Sequence, residues 1–174
     1  MASILKVNEL QHTGGTTALT IDANGYLFAK LPHFLIRNTS AQSIPDSTYT
    51  AIEFNDTVLD THSFADLSNN KITFNSTTAG VYQVNFGGKM NNISAARVGY
   101  WLRKEGVIST GPYVGYFEAE SSSASYLYPT FNFIYQFNDG DFLELDMFHS
   151  AGAAVSTYPQ SQAIGFFMSG FRIG

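Results

Sequence analysis

Apolar residues recur at every second position through most of this chain, and that period leaves little besides β-sheet for it to fold into. Phe131, Phe133, Tyr135 and Phe137 are separated by Asn132, Ile134 and Gln136, and Tyr82, Val84 and Phe86 by Gln83 and Asn85. Val98, Tyr100 and Leu102 alternate with Gly99 and Trp101, and Leu143, Leu145 and Met147 with Glu144 and Asp146. Such spacing sends one set of side chains to a face that can be buried and the other outward. Aromatic and β-branched residues fill these runs, as a pleated, half-buried surface favours. No stretch carries a convincing helical stripe.

Turn chemistry separates the runs. Asp22-Ala23-Asn24-Gly25, Ser68-Asn69-Asn70, Thr78-Ala79-Gly80, Lys104-Glu105-Gly106 and Asn138-Asp139-Gly140-Asp141 each lie between apolar segments. Gly, Asn and Asp tolerate the positive φ that tight hairpins demand. Many short strands with such breaks make an all-β sandwich, barrel or jelly roll. The tracts Thr39 to Thr50 and Glu120 to Ser125 are small and polar, and read as exposed loops.

The chain divides near Leu31-Pro32. Residues 1–31 hold a few short strand-like pieces joined by glycine turns, and so small a unit cannot bury enough surface to stand alone. Its apolar residues Ile4, Leu5, Val7, Leu10, Leu19 and Ile21 must lie against the rest of the chain, a sister subunit or a larger partner. They are the candidate attachment residues. From 32 to 174 the pattern runs on without a linker.

Composition narrows the function. Aromatics make up 15% of the chain against 13% charged residues, with fifteen Phe and ten Tyr. Interface cores share that bias, so part of the apolar surplus is expected between subunits. The net charge is −5 and the nine Lys and Arg form no cluster, whereas a nucleic-acid binder needs a basic stripe. No apolar run nears the roughly 20 residues of a membrane span. The first residues lack the apolar stretch of a signal peptide, so export by the general secretory route is not expected. Without cysteine, nothing in the fold depends on redox state.

Catalytic and metal signatures are weak. His12, His33, His62 and His149 have no metal spacing. Asp146, His149 and Ser150 are too close along one strand for a triad, and no Gly-x-Ser-x-Gly elbow exists. Glu118 and Glu120 could share a face as a glycosidase pair does, but read more simply as a solvated strand end. Asp139 and Asp141 belong to a good turn and lack a full loop of calcium ligands. No catalytic residue, cofactor or metal is expected.

From about His33 the sequence resembles the globular C1q domain of the C1q/TNF superfamily. The resemblance is carried, in order, by Lys71-Ile72-Thr73-Phe74 with Ala79-Gly80-Val81-Tyr82-Gln83-Val84-Asn85-Phe86, by Trp101-Leu102-Arg103-Lys104-Glu105-Gly106, by Phe137-Asn138-Asp139-Gly140-Asp141-Phe142-Leu143-Glu144-Leu145, and by Phe166-Phe167-Met168-Ser169-Gly170-Phe171-Arg172-Ile173. Ala79 stands where the family has proline, and Met168 where it favours phenylalanine. The resemblance implies a two-sheet antiparallel jelly roll and a homotrimer packed through aromatic faces. Tyr100, Trp101, Phe142 and Phe148, on rows with aromatics on both faces, are the candidates for the trimer contact; ordinary packing between the sheets is the alternative for each.

The opening, Met1-Ala2-Ser3-Ile4-Leu5-Lys6-Val7-Asn8-Glu9-Leu10-Gln11-His12 followed by Ala18-Leu19-Thr20-Ile21-Asp22-Ala23-Asn24-Gly25, is similar to the N-termini of virion surface proteins of tailed phages. Together the two resemblances imply a non-enzymatic structural protein of the virion surface. The expectation is a capsid decoration, or cement, trimer held on the major capsid protein by its N-terminal arm. A tail-fibre tip or adaptor contacting tail proteins and a host-surface glycan or protein is the alternative, and a free bacterial C1q-like binding protein a further one.

Overall fold

Eighteen strands and one short 3-10 turn account for the regular structure among the described residues. The computed structural model of the chain describes residues 7–11, 13–15, 17–29, 31–91, 93, 96–104, 112–121, 126–158 and 165–174. The strands are β1 (Glu9–Gln11), β2 (Thr17–Ile21), β3 (Leu27–Ala29), β4 (His33–Arg37), β5 (Ser43–Ile44), β6 (Thr50–Ala51), β7 (Asp56–Asp60), β8 (Ala65–Asp66) and β9 (Lys71–Thr73). They continue as β10 (Gly80–Gly87), β11 (Met90–Asn91), β12 (Ala96–Arg103), β13 (Tyr113–Ser121), β14 (Tyr126–Leu127), β15 (Thr130–Phe137), β16 (Phe142–His149), β17 (Val155–Thr157) and β18 (Phe167–Arg172). All their pairings are antiparallel.

Two compact units make up the chain, 1–31 and 32–174. In the first, β1, β2 and β3 form a three-stranded meander. Its second hairpin is written locally: the Asp22 carboxylate accepts the backbone N–H of Asn24 and of Tyr26, each at 2.8 Å, and Gly25 takes the positive φ of 84° that closes the turn.

In the second unit a five-stranded sheet in the order β15-β10-β18-β4-β7 and a six-stranded sheet along β13-β12-β16-β9-β8, with β6 added on β16, form a sandwich. A small four-stranded sheet, β14-β11-β17-β5, accompanies them. This is the expected jelly roll.

Register explains the core. Ile36, Met168, Phe86 and Phe131 lie in one row across β4, β18, β10 and β15, and Phe34, Gly170, Val84 and Phe133 in the next. Opposite them, Met147, Tyr100 and Phe117 form one row of the second sheet and Leu145, Leu102 and Gly115 another. Phe74 stacks on Phe137 with centroids 4.2 Å apart, while Phe86, Tyr100 and Phe166 meet within 5.8 Å of one another. Each fully buried side chain of this size contributes about 1.5–3 kcal/mol, and the aromatic contacts add to that.

One expectation needs correcting. The tract Thr39 to Thr50 is not simply an exposed loop, because it contains β5 and buries Gln42 and Ile44. Gln42 is tolerated inside because its amide donates to the Ala51 carbonyl and accepts the Glu53 N–H.

Candidate functional site

The two sheets end on the same side in β13 and β15, and there the sandwich is only partly closed. Phe131, Phe133 and Tyr135 point inward from β15 yet stay half-buried, as do Val114 and Phe117 on β13. Gly115 makes the approach possible: a methyl group at that position would stand 3.1 Å from the Phe131 ring and 3.4 Å from that of Phe133. On the outward faces of the same two strands Tyr116 is 68% exposed and Ile134 63%. Edge strands are usually blunted by charge; on β13 the charges, Glu118 and Glu120, lie toward one end, and the stretch from Tyr113 to Phe117 carries none.

The outer face of the five-stranded sheet continues the apolar character. Leu35, Arg37, Val58, Phe167 and Ser169 line an open groove of about 370 Å³. Leu59, Phe171 and Ile173 are exposed. Arg37, the cation of the groove, is paired with Asp56.

The outer face of the six-stranded sheet is different, because part of the same subunit covers it. Ala51 of β6 pairs opposite Asp146, and Tyr49 packs at 5.0 Å from both Trp101 and Phe148. Trp101 also touches Tyr113 and keeps only 8% of its surface. Its six-membered ring lies over Gly99, where a methyl group would come within 2.0 Å. Beneath this cover Arg103 bridges Glu144 at 2.6 Å and Asp146 at 3.0 Å. Burial pushes the carboxyls of Asp146 and Glu144 above their ordinary values, against the opposing pull of Arg103. Burial also works against the Arg103 charge, but its two carboxylate partners outweigh it and hold the guanidinium charged. One guanidinium shared by two dehydrated carboxylates favours the upward direction for the acids.

The candidate contact residues therefore separate. Tyr100 lies wholly inside the core between Phe86, Phe166 and Phe117 and offers nothing to a neighbour. Trp101 is sealed by Tyr49 and Tyr113. The cause is shared: β12 is an inner strand with each face covered by its own subunit. Phe142 and Phe148 remain half-buried, Phe142 under the cations of Lys71 and Arg103. Free apolar surface is found instead on β13, β15 and the β18 face, among other places, which sequence reasoning missed because alternation identifies a face and not what covers it.

Of the arm candidates, Ile4 and Leu5 lie outside the described residues. Val7, Leu19 and Ile21 are half-buried and Leu10 is exposed.

The chemistry-bearing residues weighed in the sequence stay apart. Asp146 belongs to Arg103, whereas buried His149 shares its Nε2 with the Ile44 carbonyl at 2.9 Å and Ser150 accepts the Arg97 N–H. Glu118 is paired with Arg97. Asp141 accepts the Asn138 N–H and faces Lys104 at 3.5 Å. Among the described residues no three His, Asp or Glu side chains gather as metal ligands, and no helix is long and apolar enough to cross a membrane.

A further cluster has no sequence signature. The buried Lys89 ammonium stands 3.8 Å from the ring centre of Tyr158, 4.0 Å from that of Tyr126 and 5.5 Å from that of Tyr128. This three-tyrosine cage holds a cation of the chain itself and ties β11, β14 and β17 together.

No protein-family model matches the chain, and no curated protein does. Solved structures do. Murine APRIL superposes with a TM-score of 0.63 at 11% identity, covering 82% of this chain and 99% of that one. The globular domain of zebrafish complement 1qA gives 0.58 at 16% identity, with 82% and 98% covered. The Eiger TNF of S. frugiperda gives 0.59 at 9%, with 83% and 93% covered. At these identities the likeness establishes the fold, a jelly roll of the TNF/C1q type.

Proposed function

We propose that the protein is a non-enzymatic homotrimer on the surface of a phage particle, serving as a capsid decoration protein held there by residues 1–31. The observation that carries the assembly is the partly open edge between β13 and β15, where Phe131, Phe133 and Tyr135 stay half-buried beside exposed Tyr116 and Ile134. A neighbour laid along this edge and the apolar β18 face would complete the core and hide the surplus of rings. Two further copies do this symmetrically and close the ring. The opening's similarity to phage virion proteins supports the location, and a capsid lattice offers three-fold positions that match such a trimer. Three arms per trimer give avidity from weak single contacts.

Two measurements test the reading. Sedimentation at micromolar concentration should give a trimer, and a monomer would overturn the assembly. Antibody labelling of purified particles should decorate heads and disappear when residues 1–31 are deleted. Label confined to tails, full head occupancy by the truncated chain, or absence from particles would overturn the placement.

A further inference from the structure

We propose that the apolar face of the N-terminal sheet is an interface between copies of this chain, three such sheets closing on one another with Leu10, Leu19, Ile21 and Leu27 inward. The inference rests on the trimeric reading above and assigns a partner to a face that reading leaves open.

Register defines the face. Leu10 pairs with Leu19 and Ile21 with Leu27, and Leu19 and Ile21 are two positions apart, so all four side chains project on one side. Glu9 and Thr20, paired with each other, project on the other. Leu27 is 65% exposed and Leu10 45%. The turn at Asp22–Gly25 fixes the β2–β3 hairpin, but three short strands with one open apolar face do not hold in water unaided. Something must cover Leu10 and Leu27.

Its occupant follows from charge, tether and symmetry. None of the four residues is charged, so the face offers nothing to attract a charged partner. Only residues 30–32 join β3 to β4, a reach of about 10 Å, so each trimer carries three copies of the sheet on short leashes at millimolar effective concentration. Three identical patches around one axis cover each other with none left over. Attachment to a particle then falls to the opposite face, the strand edges and the residues ahead of β1.

Single-cysteine variants of the full chain, which has no cysteine of its own, test this. Under mild oxidation at micromolar concentration Leu19→Cys should link subunits into covalent dimers, while Thr20→Cys on the opposite face should stay unlinked. Absent linkage at 19, or equal linkage at 20, in a chain that still sediments as a trimer overturns this proposal alone. A monomer overturns the trimeric reading itself. Hydrogen exchange on the unsubstituted chain gives an independent check: β2 amides should exchange at least tenfold more slowly in the trimer than after dilution below its dissociation constant. Equal rates, or protection gained only on particles, would assign the face to another occupant.

Discussion

Arg103 Nε donates to Asp146 Oδ2 at 3.0 Å in a place where the aspartate is wholly out of reach of solvent. The same guanidinium reaches Glu144 on the same strand, and the other oxygen of Asp146 has no hydrogen-bond partner among the described residues. A buried pair adds little over a well-packed apolar substitute, but removing one side strands a charge. Arg103→Met should therefore cost about 3–5 kcal/mol, read as a fall in the denaturation midpoint. An unchanged midpoint would mean that the carboxylates are not charged in the folded chain.

The same network predicts an unusual pH response. Asp146 and Glu144 titrate above their ordinary values of 3.8 and 4.5, chiefly through burial. A raised carboxyl binds its proton more tightly when folded, so stability is lost as pH rises from the ordinary value through the folded one and returns on acidification. Asp146→Asn removes one of these groups. Its stability should fall less steeply than the parent's as pH rises from about 4 toward neutrality. Parallel curves over that range would show that Asp146 titrates normally.

Tyr100 has a hydroxyl without a hydrogen-bond partner among the described residues, in a fully buried position. Burial alone lifts its ionisation well above the ordinary 10. An unpaired buried hydroxyl costs about 1–3 kcal/mol, and phenylalanine keeps the ring contacts. Tyr100→Phe should raise the melting temperature, and a clear drop would reveal a partner for the hydroxyl.

The strand rows were legible because alternation is a local property. Tyr82, Val84 and Phe86 could be assigned to one face from their spacing alone. What lies on top of a strand is not local. Spacing marks Trp101 as an outward aromatic, and its outward face is occupied by Tyr49, some fifty residues earlier. Gln42 looked like loop composition, yet it is buried through hydrogen bonds to Ala51 and Glu53. The cage around Lys89 draws Tyr126 and Tyr128 from one segment and Tyr158 from another, and no spacing rule could bring both segments to that lysine. Sequence specified the sheets, and tertiary covering decided which rings remained free.

Gly170 is a backbone position dictated by that packing. It sits between Phe34 and Val84 in its row, and a methyl group there would lie 2.6 Å from the Phe34 ring. The Phe34 ring is itself packed on Phe64 and fully buried, so it cannot swing aside. Gly170→Ala should cost about 1–3 kcal/mol in chemical denaturation, and a neutral result would mean that Phe34 has an alternative rotamer.

The open edge carries the most discriminating test of assembly. Tyr116 and Ile134 point outward from β13 and β15 and bury little within their own subunit, so arginine at either site disturbs no intramolecular core. Exposed substitutions of this kind usually change stability by less than about 0.5 kcal/mol. At an intersubunit contact the same pair would bring six like charges together in a trimer and leave them without water. Tyr116→Arg combined with Ile134→Arg should keep the circular dichroism spectrum of the parent while sedimenting as a monomer at micromolar concentration. A doubly substituted chain that remains a trimer would show that the half-covered rings of Phe131, Phe133 and Tyr135 face solvent and that the subunits meet elsewhere.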